Sequence, residues 1–114
     1  MIGSVHGNLD GLRSSMVETG RRAGADSGDP KVRFAEMYDQ EGREAGMWAC
    51  TPGGWAIENR PDTEAVLILS GEATITDADG TATTVGPGDF FVLPRGWSGR
   101  WDILETVEKL YVIS

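Results

Sequence analysis

Hydrophobic and polar residues alternate along this chain in short stretches, which is the pattern of β-strands rather than of helices. The segment Lys31–Tyr38, "KVRFAEMY", places successive side chains on opposite sides and predicts a strand. Residues 64–70, "EAVLILS", and 90–93, "FFVL", are rich in apolar residues and predict strands at the centre of a sheet. The dipeptide Asp79-Gly80 between two such runs indicates a hairpin turn.

The whole pattern predicts about nine or ten short strands, with no convincing helix between them. Parallel βαβ units are excluded because each one needs a crossover of a dozen residues or more. An all-β antiparallel roll or barrel remains, and we assign residues 31–114 to it. Residues 1–30 are rich in Gly, Ser, Asp and Arg and are assigned to an N-terminal arm. We expect this arm to be flexible or partly helical, because Leu9, Leu12 and Met16 have loose helical spacing.

Composition narrows the classes of function. With 114 residues, 39% of them hydrophobic and 25% charged, the chain has the size and make-up of one soluble globular domain. A net charge of −8 without a basic stripe argues against binding to nucleic acids or to acidic membrane surfaces. The apolar runs are too short to span a membrane, and the N-terminus lacks the features of a secretory signal. A single cysteine, Cys50, fits a reducing compartment, so we expect a cytoplasmic protein.

Two segments have an ordered spacing of glycine, proline and acidic residues. In Glu64–Gly71 a glutamate is followed after six residues by glycine. In Gly88–Gly96 the order is glycine, five residues, proline, one residue, glycine. These segments resemble the two signature motifs of the cupin superfamily. The resemblance implies a cupin-type double-stranded β-helix, which is a jelly-roll barrel. It also implies a homodimer, to which the strand Val32–Tyr38 could supply a shared edge.

A narrower resemblance rests on "WACTPGGW", "GDFFVLPRGWSGRWDI" and "VEKLY". These stretches are similar to the small cupins related to (S)-ureidoglycine aminohydrolase and to the ethanolamine-utilisation cupin. In that group a tryptophan precedes a Pro-Gly pair, as Trp48 does, a Gly-x-Trp follows the second motif, as at Trp101, and a lysine lies in the last strand, as Lys109 does. The resemblance implies that Lys109 faces the cavity and that Trp48 and Trp101 line the barrel mouth, where they contact the substrate.

The positions that carry metal ligands in most cupins have changed in this chain. The usual His-x-His is replaced by residues 58–60, "ENR", and the histidine of the second motif is replaced by Gly99. Only Glu64 keeps the usual residue. If Glu58, Arg60 and Glu64 all point inward, the two carboxylates could hold an oxygen-loving cation. Arg60 would repel that cation and pair with a carboxylate instead. We therefore expect no metal and no other cofactor, and we assign Glu58 and Arg60 to substrate binding.

Three hypotheses of function remain open. The first is a metal-independent cupin that binds a small polar metabolite, with proton-transfer or lyase-type chemistry through Lys109, Glu64 and Tyr111. Lys109 and Tyr111 alternate onto the same side of the last predicted strand. The second hypothesis, which the resemblance implies, is a metal-dependent hydrolase of a C–N bond in a ureido compound. The third is a non-catalytic binding or structural dimer, since a fold alone does not decide function.

Overall fold

The computed structural model describes residues 2–114, and within them it has one short helix and nine strands. The helix α1 spans Leu9–Ser15. The strands are β1 (Val17–Arg21), β2 (Ala25–Gly28), β3 (Lys31–Gln40), β4 (Arg43–Cys50), β5 (Gly53–Ile57), β6 (Glu64–Asp77), β7 (Ala82–Val85), β8 (Phe90–Leu93) and β9 (Gly99–Ile113). The prediction of an all-β jelly-roll barrel is confirmed.

Two long antiparallel strands, β6 and β9, hold the two halves of the barrel together. They pair over almost their whole length, from Glu64 opposite Ile113 to Asp77 opposite Gly99. One half of this ribbon continues into β8 on one side and into β4, β3 and β1 on the other. The other half continues into β7 and into β5 and β2. The sequence pattern favours two strands on either side of Gly71, at residues 64–70 and 72–77, and two more at residues 100–104 and 108–114. In the structure each of these pairs is one continuous strand.

A bulge at Gly71 lets β6 bend from one sheet into the other. The pairing register of β6 with β9 shifts between Ser70 and Ala73. Gly71 has a φ of +86°, and a Cβ atom there would overlap the carbonyl oxygen of Thr106 on the facing strand. Because backbone atoms block this space, only glycine fits at the bend.

The helix α1 lies against the outer surface of β3 and β4. Asn8 caps its N-terminus by accepting a hydrogen bond from Gly11 N at 2.7 Å. From the last turn, Arg13 Nε donates to Glu108 Oε2 of β9 at 3.0 Å. The partly helical arm that the sequence predicted is therefore present, and its helix is tied to the barrel by a side-chain bond.

Residues 17–28 form the strands β1 and β2, which the sequence did not predict. β1 pairs with β3 at one end of the barrel sheets and β2 pairs with β5 at the other. The glycines of this segment, which favoured a flexible arm, lie at turns and bulges of these strands. Gly20, Gly24 and Gly28 all have positive φ, a conformation that glycine adopts readily. The division between residues 1–30 and 31–114 stays a prediction.

The predicted homodimer edge at Val32–Tyr38 is partly covered within the chain. β1 pairs with Lys31–Phe34, so only the remainder of β3 has no strand on that side. The homodimer itself stays a prediction. Within residues 2–114, no helix reaches the length and apolarity that crossing a bilayer requires.

The hydrophobic core fills the space between the two sheets. Its largest fully buried side chains include Trp101, Ile68, Val66 and Val107. The indole of Trp101 packs against this core while one side of it faces the cavity described below. Core and cavity therefore share a wall, so the position of that wall is fixed by packing.

We predict that Gly71→Ala lowers the free energy of unfolding by about 3 kcal/mol. The substitution combines an unfavourable backbone conformation, which costs about 1–2 kcal/mol, with a backbone overlap that cannot relax. Urea-induced unfolding measures the change. Gly80→Ala is the matched control, because Gly80 has a φ of +91° but no atom within 4 Å of its added Cβ. A loss at position 71 no larger than at position 80 would contradict the bend.

Candidate functional site

A cavity of about 160 Å³ opens between the two sheets at one end of the barrel. Five of the seven side chains that the sequence assigned to a site lie in its wall: Trp48, Arg60, Glu64, Trp101 and Lys109. Four further residues complete the wall: Arg22, Trp55, Ile57 and Ile113. Glu58 and Tyr111 are not in the wall.

The strand register explains why the charged residues meet. Lys109 of β9 lies between Trp48 of β4 and Ile68 of β6. Glu64, the first residue of β6, lies opposite Ile113 of β9. Because side chains alternate along a strand, positions 109 and 113 face the same side and bring Lys109 and Glu64 into the cavity together.

Glu64 shares its carboxylate between two cations, and we call Arg60, Glu64 and Lys109 the charge triad. Lys109 Nζ donates to Glu64 Oε2 at 2.8 Å, and Arg60 Nη1 donates to Glu64 Oε1 at 3.1 Å. The side chains of Lys109, Glu64 and Arg60 are only 7%, 6% and 11% exposed. Asp62 holds Arg60 from outside the cavity, with its Oδ1 accepting from Nη2 at 2.7 Å. Each oxygen of this buried carboxylate thus has its own charged donor.

Two indole rings lie against the ammonium group of Lys109, and a third stacks on one of them. Its Nζ lies 4.3 Å from the ring centre of Trp48 and 4.6 Å from that of Trp101. Trp55 stacks on Trp101 with 6.2 Å between centres and 11° between planes. The faces of these rings attract a cation, which offsets part of the cost of burying the lysine. Trp48 and Trp101, which the resemblance placed at the barrel mouth, lie in the cavity wall together with Lys109.

Arg22 is a wall residue that sequence reasoning missed. It follows β1, and its guanidinium carbon lies 5.0 Å from the ring centre of Trp55. Its backbone N–H donates to the Pro30 carbonyl at 2.8 Å, which fixes the turn. Partial burial lowers the pKa of Arg22 from its usual value. The only signal in the sequence was a pair of arginines inside a segment that had the composition of a mobile arm.

Trp55 follows two glycines, and the sequence favoured either a core position or a dimer face for it; the core position is confirmed. The side chain is 2% exposed and belongs to the core, but it also forms a wall of the cavity. The sequence could show that Trp55 follows two glycines. It could not show that β5 pairs with β9 so that Trp55 lies opposite Trp101.

Glu58 does not point inward with Arg60 and Glu64, so the condition for a cation site between the two carboxylates is not met. Glu58 is exposed and lies outside the cavity wall. β5 ends at Ile57, and Asn59 then adopts a left-handed conformation with a φ of 48°. The alternation of sides on which the expectation rested therefore stops before Arg60 is reached.

Tyr111 lies on the same face of β9 as Lys109 and Ile113, between the two along the strand, but it does not line the cavity. It is opposite Gly46, and its hydroxyl lies over this residue, 3.0 Å from the place where a Cβ would be. Burial, followed by the nearby carboxylate of Glu36 and then that of Glu44, raises the pKa of Tyr111 to about 12. The phenol is therefore protonated at neutral pH. The structure does not bring it to the charge triad.

Cys50 is buried and carries a protonated thiol. Only 1% of the residue is exposed, and burial raises the pKa of the thiol to about 11. A thiol in this state is a poor nucleophile at neutral pH. Cys50 therefore serves the core.

Comparison with protein families agrees with this architecture. The model of the EutQ-like cupin domain matches residues 38–111, which is more than half of the chain. This chain belongs to the EutQ-like cupin domain family. The match begins within β3, so α1, β1, β2 and Arg22 lie outside it. Among curated protein sequences, none matches the chain significantly.

Solved structures show the same cupin fold at low sequence identity. A DUF861-family protein of unknown function from Pseudomonas syringae aligns with a TM-score of 0.79 and 18% identity over 87% of this chain, but this chain spans only 44% of that protein. The EutQ protein of Clostridium difficile aligns with a TM-score of 0.64 and 15% identity, over 74% of this chain and 62% of that one. A predicted oxalate decarboxylase from Thermotoga maritima aligns with a TM-score of 0.73 and 18% identity, over 97% of both chains.

The residues at the usual metal position of cupins do not fit a metal ion in this family member. A guanidinium has no lone pair to offer a metal, so Arg60 cannot be a ligand. A side chain at Gly99 would overlap the Thr76 carbonyl and the Trp97 ring, so no ligand fits there. The remaining carboxylate, Glu64, is already bound by Arg60 and Lys109. The donor set offers neither the number nor the type of ligands that a metal needs.

We predict that Lys109→Met lowers the free energy of unfolding by about 3 kcal/mol, because it removes one partner of a buried carboxylate. The double variant Glu64→Gln/Lys109→Met should recover part of this loss, since it removes the uncompensated charge as well. Urea unfolding measures the stability of the unmodified protein, of Lys109→Met and of the double variant. Arg13→Met, which breaks an ion pair whose arginine side chain is 42% exposed, is the control and should change stability by less than about 1 kcal/mol. Equal losses in the two single variants would contradict the buried triad.

Alkaline pH should destabilise the protein through its buried acids. The pKa of Cys50 is about 11 in the folded chain against an ordinary value of 9.0, so the unfolded state loses the thiol proton first. Stability is then fully present below pH 9 and falls as the pH rises toward 11. In Cys50→Ala the fall should begin only near pH 10, where Tyr111 ionises in the unfolded chain. The measurement is the midpoint of urea unfolding from pH 7 to 11. A common onset in both proteins would show that Cys50 does not contribute.

Proposed function

We propose that this cupin binds a small polar metabolite in its barrel and holds it with side chains instead of a metal ion. The observation that carries the proposal is the charge triad, in which a buried carboxylate is shared by two cations at a cavity wall. A concave site with apolar walls and a few converging charged groups is the usual form of a small-molecule binding site.

The cavity sets the size of the ligand. A volume of about 160 Å³ is below the roughly 300–1,000 Å³ of pockets that hold drug-sized molecules. A compact metabolite of a few carbon atoms fits this space. The stacked rings of Trp55 and Trp101 provide a flat apolar wall against which such a molecule can lie.

The chemistry that we propose is proton transfer, of the kind that lyases and isomerases of small metabolites use. Lys109 carries three donor hydrogens, and only one of them is engaged by Glu64. A ligand atom bound at Lys109 Nζ can receive a proton there. Glu64 can take one from the same molecule through a lone pair that its oxygens keep beside their charged donors. Tyr111, which lies outside the cavity wall, is not part of this proposal.

The runner-up is the metal-dependent hydrolysis of a ureido compound that the narrower resemblance implied. The donor set at Arg60 and Gly99 speaks against it. A cupin that binds a ligand without changing it remains compatible with the same cavity, and the product analysis described next separates it from an enzyme.

We predict that tag-free protein contains far less than one Mn, Fe, Ni or Zn ion per chain. A panel of small acids, amides and alcohols should include compounds that raise the melting temperature, and EDTA should not remove the shift. Lys109→Met should lose it, because a ligand that binds only the folded state must stabilise it. Turnover of the stabilising compounds is followed by NMR. Stoichiometric metal, or shifts that EDTA abolishes, would favour the metal-dependent alternative.

A further inference from the structure

We propose that the ligand is a small organic carboxylate and that Arg22, delivered by the N-terminal segment, captures its carboxylate group. This inference concerns the same cavity and rests on the proposed function. It adds the chemical class of the ligand and assigns a binding residue that lies outside the family match at residues 38–111.

The cavity wall is positively charged although the chain is acidic. The wall carries three cations, Arg22, Arg60 and Lys109, against one carboxylate, Glu64. The whole chain has 18 acidic and 10 basic residues, so an excess of cations at one cavity is not a reflection of composition. A wall with this balance favours an anion, because each added negative charge relieves repulsion between the cations.

Arg22 is the cation of this wall that forms no ion pair with a carboxylate. Lys109 and Arg60 both bind Glu64, and Arg60 also binds Asp62. Among residues 2–114, no acidic side chain forms an ion pair with Arg22, whose guanidinium donates only to the Ala23 carbonyl. A guanidinium has five donor hydrogens in a planar fork that matches a carboxylate. Most of these donors are free.

The position of Arg22 is fixed before a ligand arrives. Its N–H is held by the Pro30 carbonyl at 2.8 Å, and its own carbonyl accepts from Ala25 N at 3.2 Å. The side chain then lies on the ring of Trp55, which leaves the edge of the guanidinium uncovered. A preorganised donor loses little freedom on binding, so its hydrogen bonds contribute more to affinity.

The link between β1 and β2 explains how a residue so early in the chain reaches the site. β1 belongs to the edge beside β3, and β2 belongs to the edge beside β5. The turn that joins them, which contains Arg22, therefore passes from one sheet to the other at the mouth of the cavity. A flexible arm could not place the guanidinium in this way.

A carboxylate satisfies this arrangement better than a neutral ligand or a large polyanion. Hydrogen bonds between charged partners are roughly twice as strong as those between neutral ones. A neutral amide of the same shape would leave Arg22 uncompensated. A cavity of about 160 Å³ in a chain of net charge −8 excludes nucleic acids.

The test compares malonate, pyruvate and succinate with malonamide, pyruvamide and succinamide by isothermal titration calorimetry at constant ionic strength, with inorganic phosphate as a further anion. At least one carboxylate should bind, and its amide should bind at least about 10-fold more weakly. Arg22→Met should weaken carboxylate binding by about 10- to 100-fold and leave amide binding unchanged. Arg21→Met is the matched control, since Arg21 faces solvent beside Asp29 and should change binding less than about twofold.

The outcomes separate this inference from the proposed function. If amides bind as well as acids and Arg22→Met has no effect, while Lys109→Met abolishes binding, the cavity is the site but Arg22 does not select its ligand. If phosphate binds more tightly than every carboxylate, the ligand class is wrong. If none of the acids binds at 10 mM (on the order of the weakest specific affinities), the inference is overturned. Circular dichroism and urea unfolding of Arg22→Met exclude a simple loss of fold as the cause.

Discussion

The buried carboxylate of Glu64 is the constraint on which the site depends. A carboxylate that is 6% exposed persists in the folded state only if its charge is compensated, and both of its oxygens are bound by cations. Lys109 reaches it from a strand 45 positions later in the chain, so the compensation exists only when β6 and β9 are paired. The site therefore forms only when the barrel folds. The indoles near Lys109 pack in the hydrophobic core and also line the cavity.

Much of the fold could be predicted because it depends on local signals. The short alternating segments form β-strands in the structure, and glycines predicted at turns lie at bends. The segment Glu64–Gly71 forms the first half of β6 and its bulge. The joining of strands across Gly71 could not be seen, because a bulge in a continuous strand and a turn between two strands use the same residue. The strands β1 and β2 were missed for a similar reason: glycine-rich sequence is equally compatible with mobility and with tight turns.

Site residues on regular strands could be predicted from the sequence. Site residues that meet only through contacts between distant segments could not. The inward direction of Lys109 follows from alternation along β9 and from the family resemblance. Arg22 and Trp55 are 33 positions apart, and nothing local in either segment indicates that they stack. The assignment of Glu58 to the site failed because it assumed that strand geometry continues to Arg60. A single left-handed residue, Asn59, interrupts that geometry.

Gly99 makes this barrel hard to convert into a metal centre. A histidine placed there would collide with the Thr76 backbone and with the ring of Trp97, which itself donates to Asp77 at 2.8 Å. Arg60 would also have to be replaced, and Glu64 would then keep Lys109 as its one charged partner. A designed metal site would therefore need several coordinated substitutions, whereas the charge-based pocket can be tuned one residue at a time.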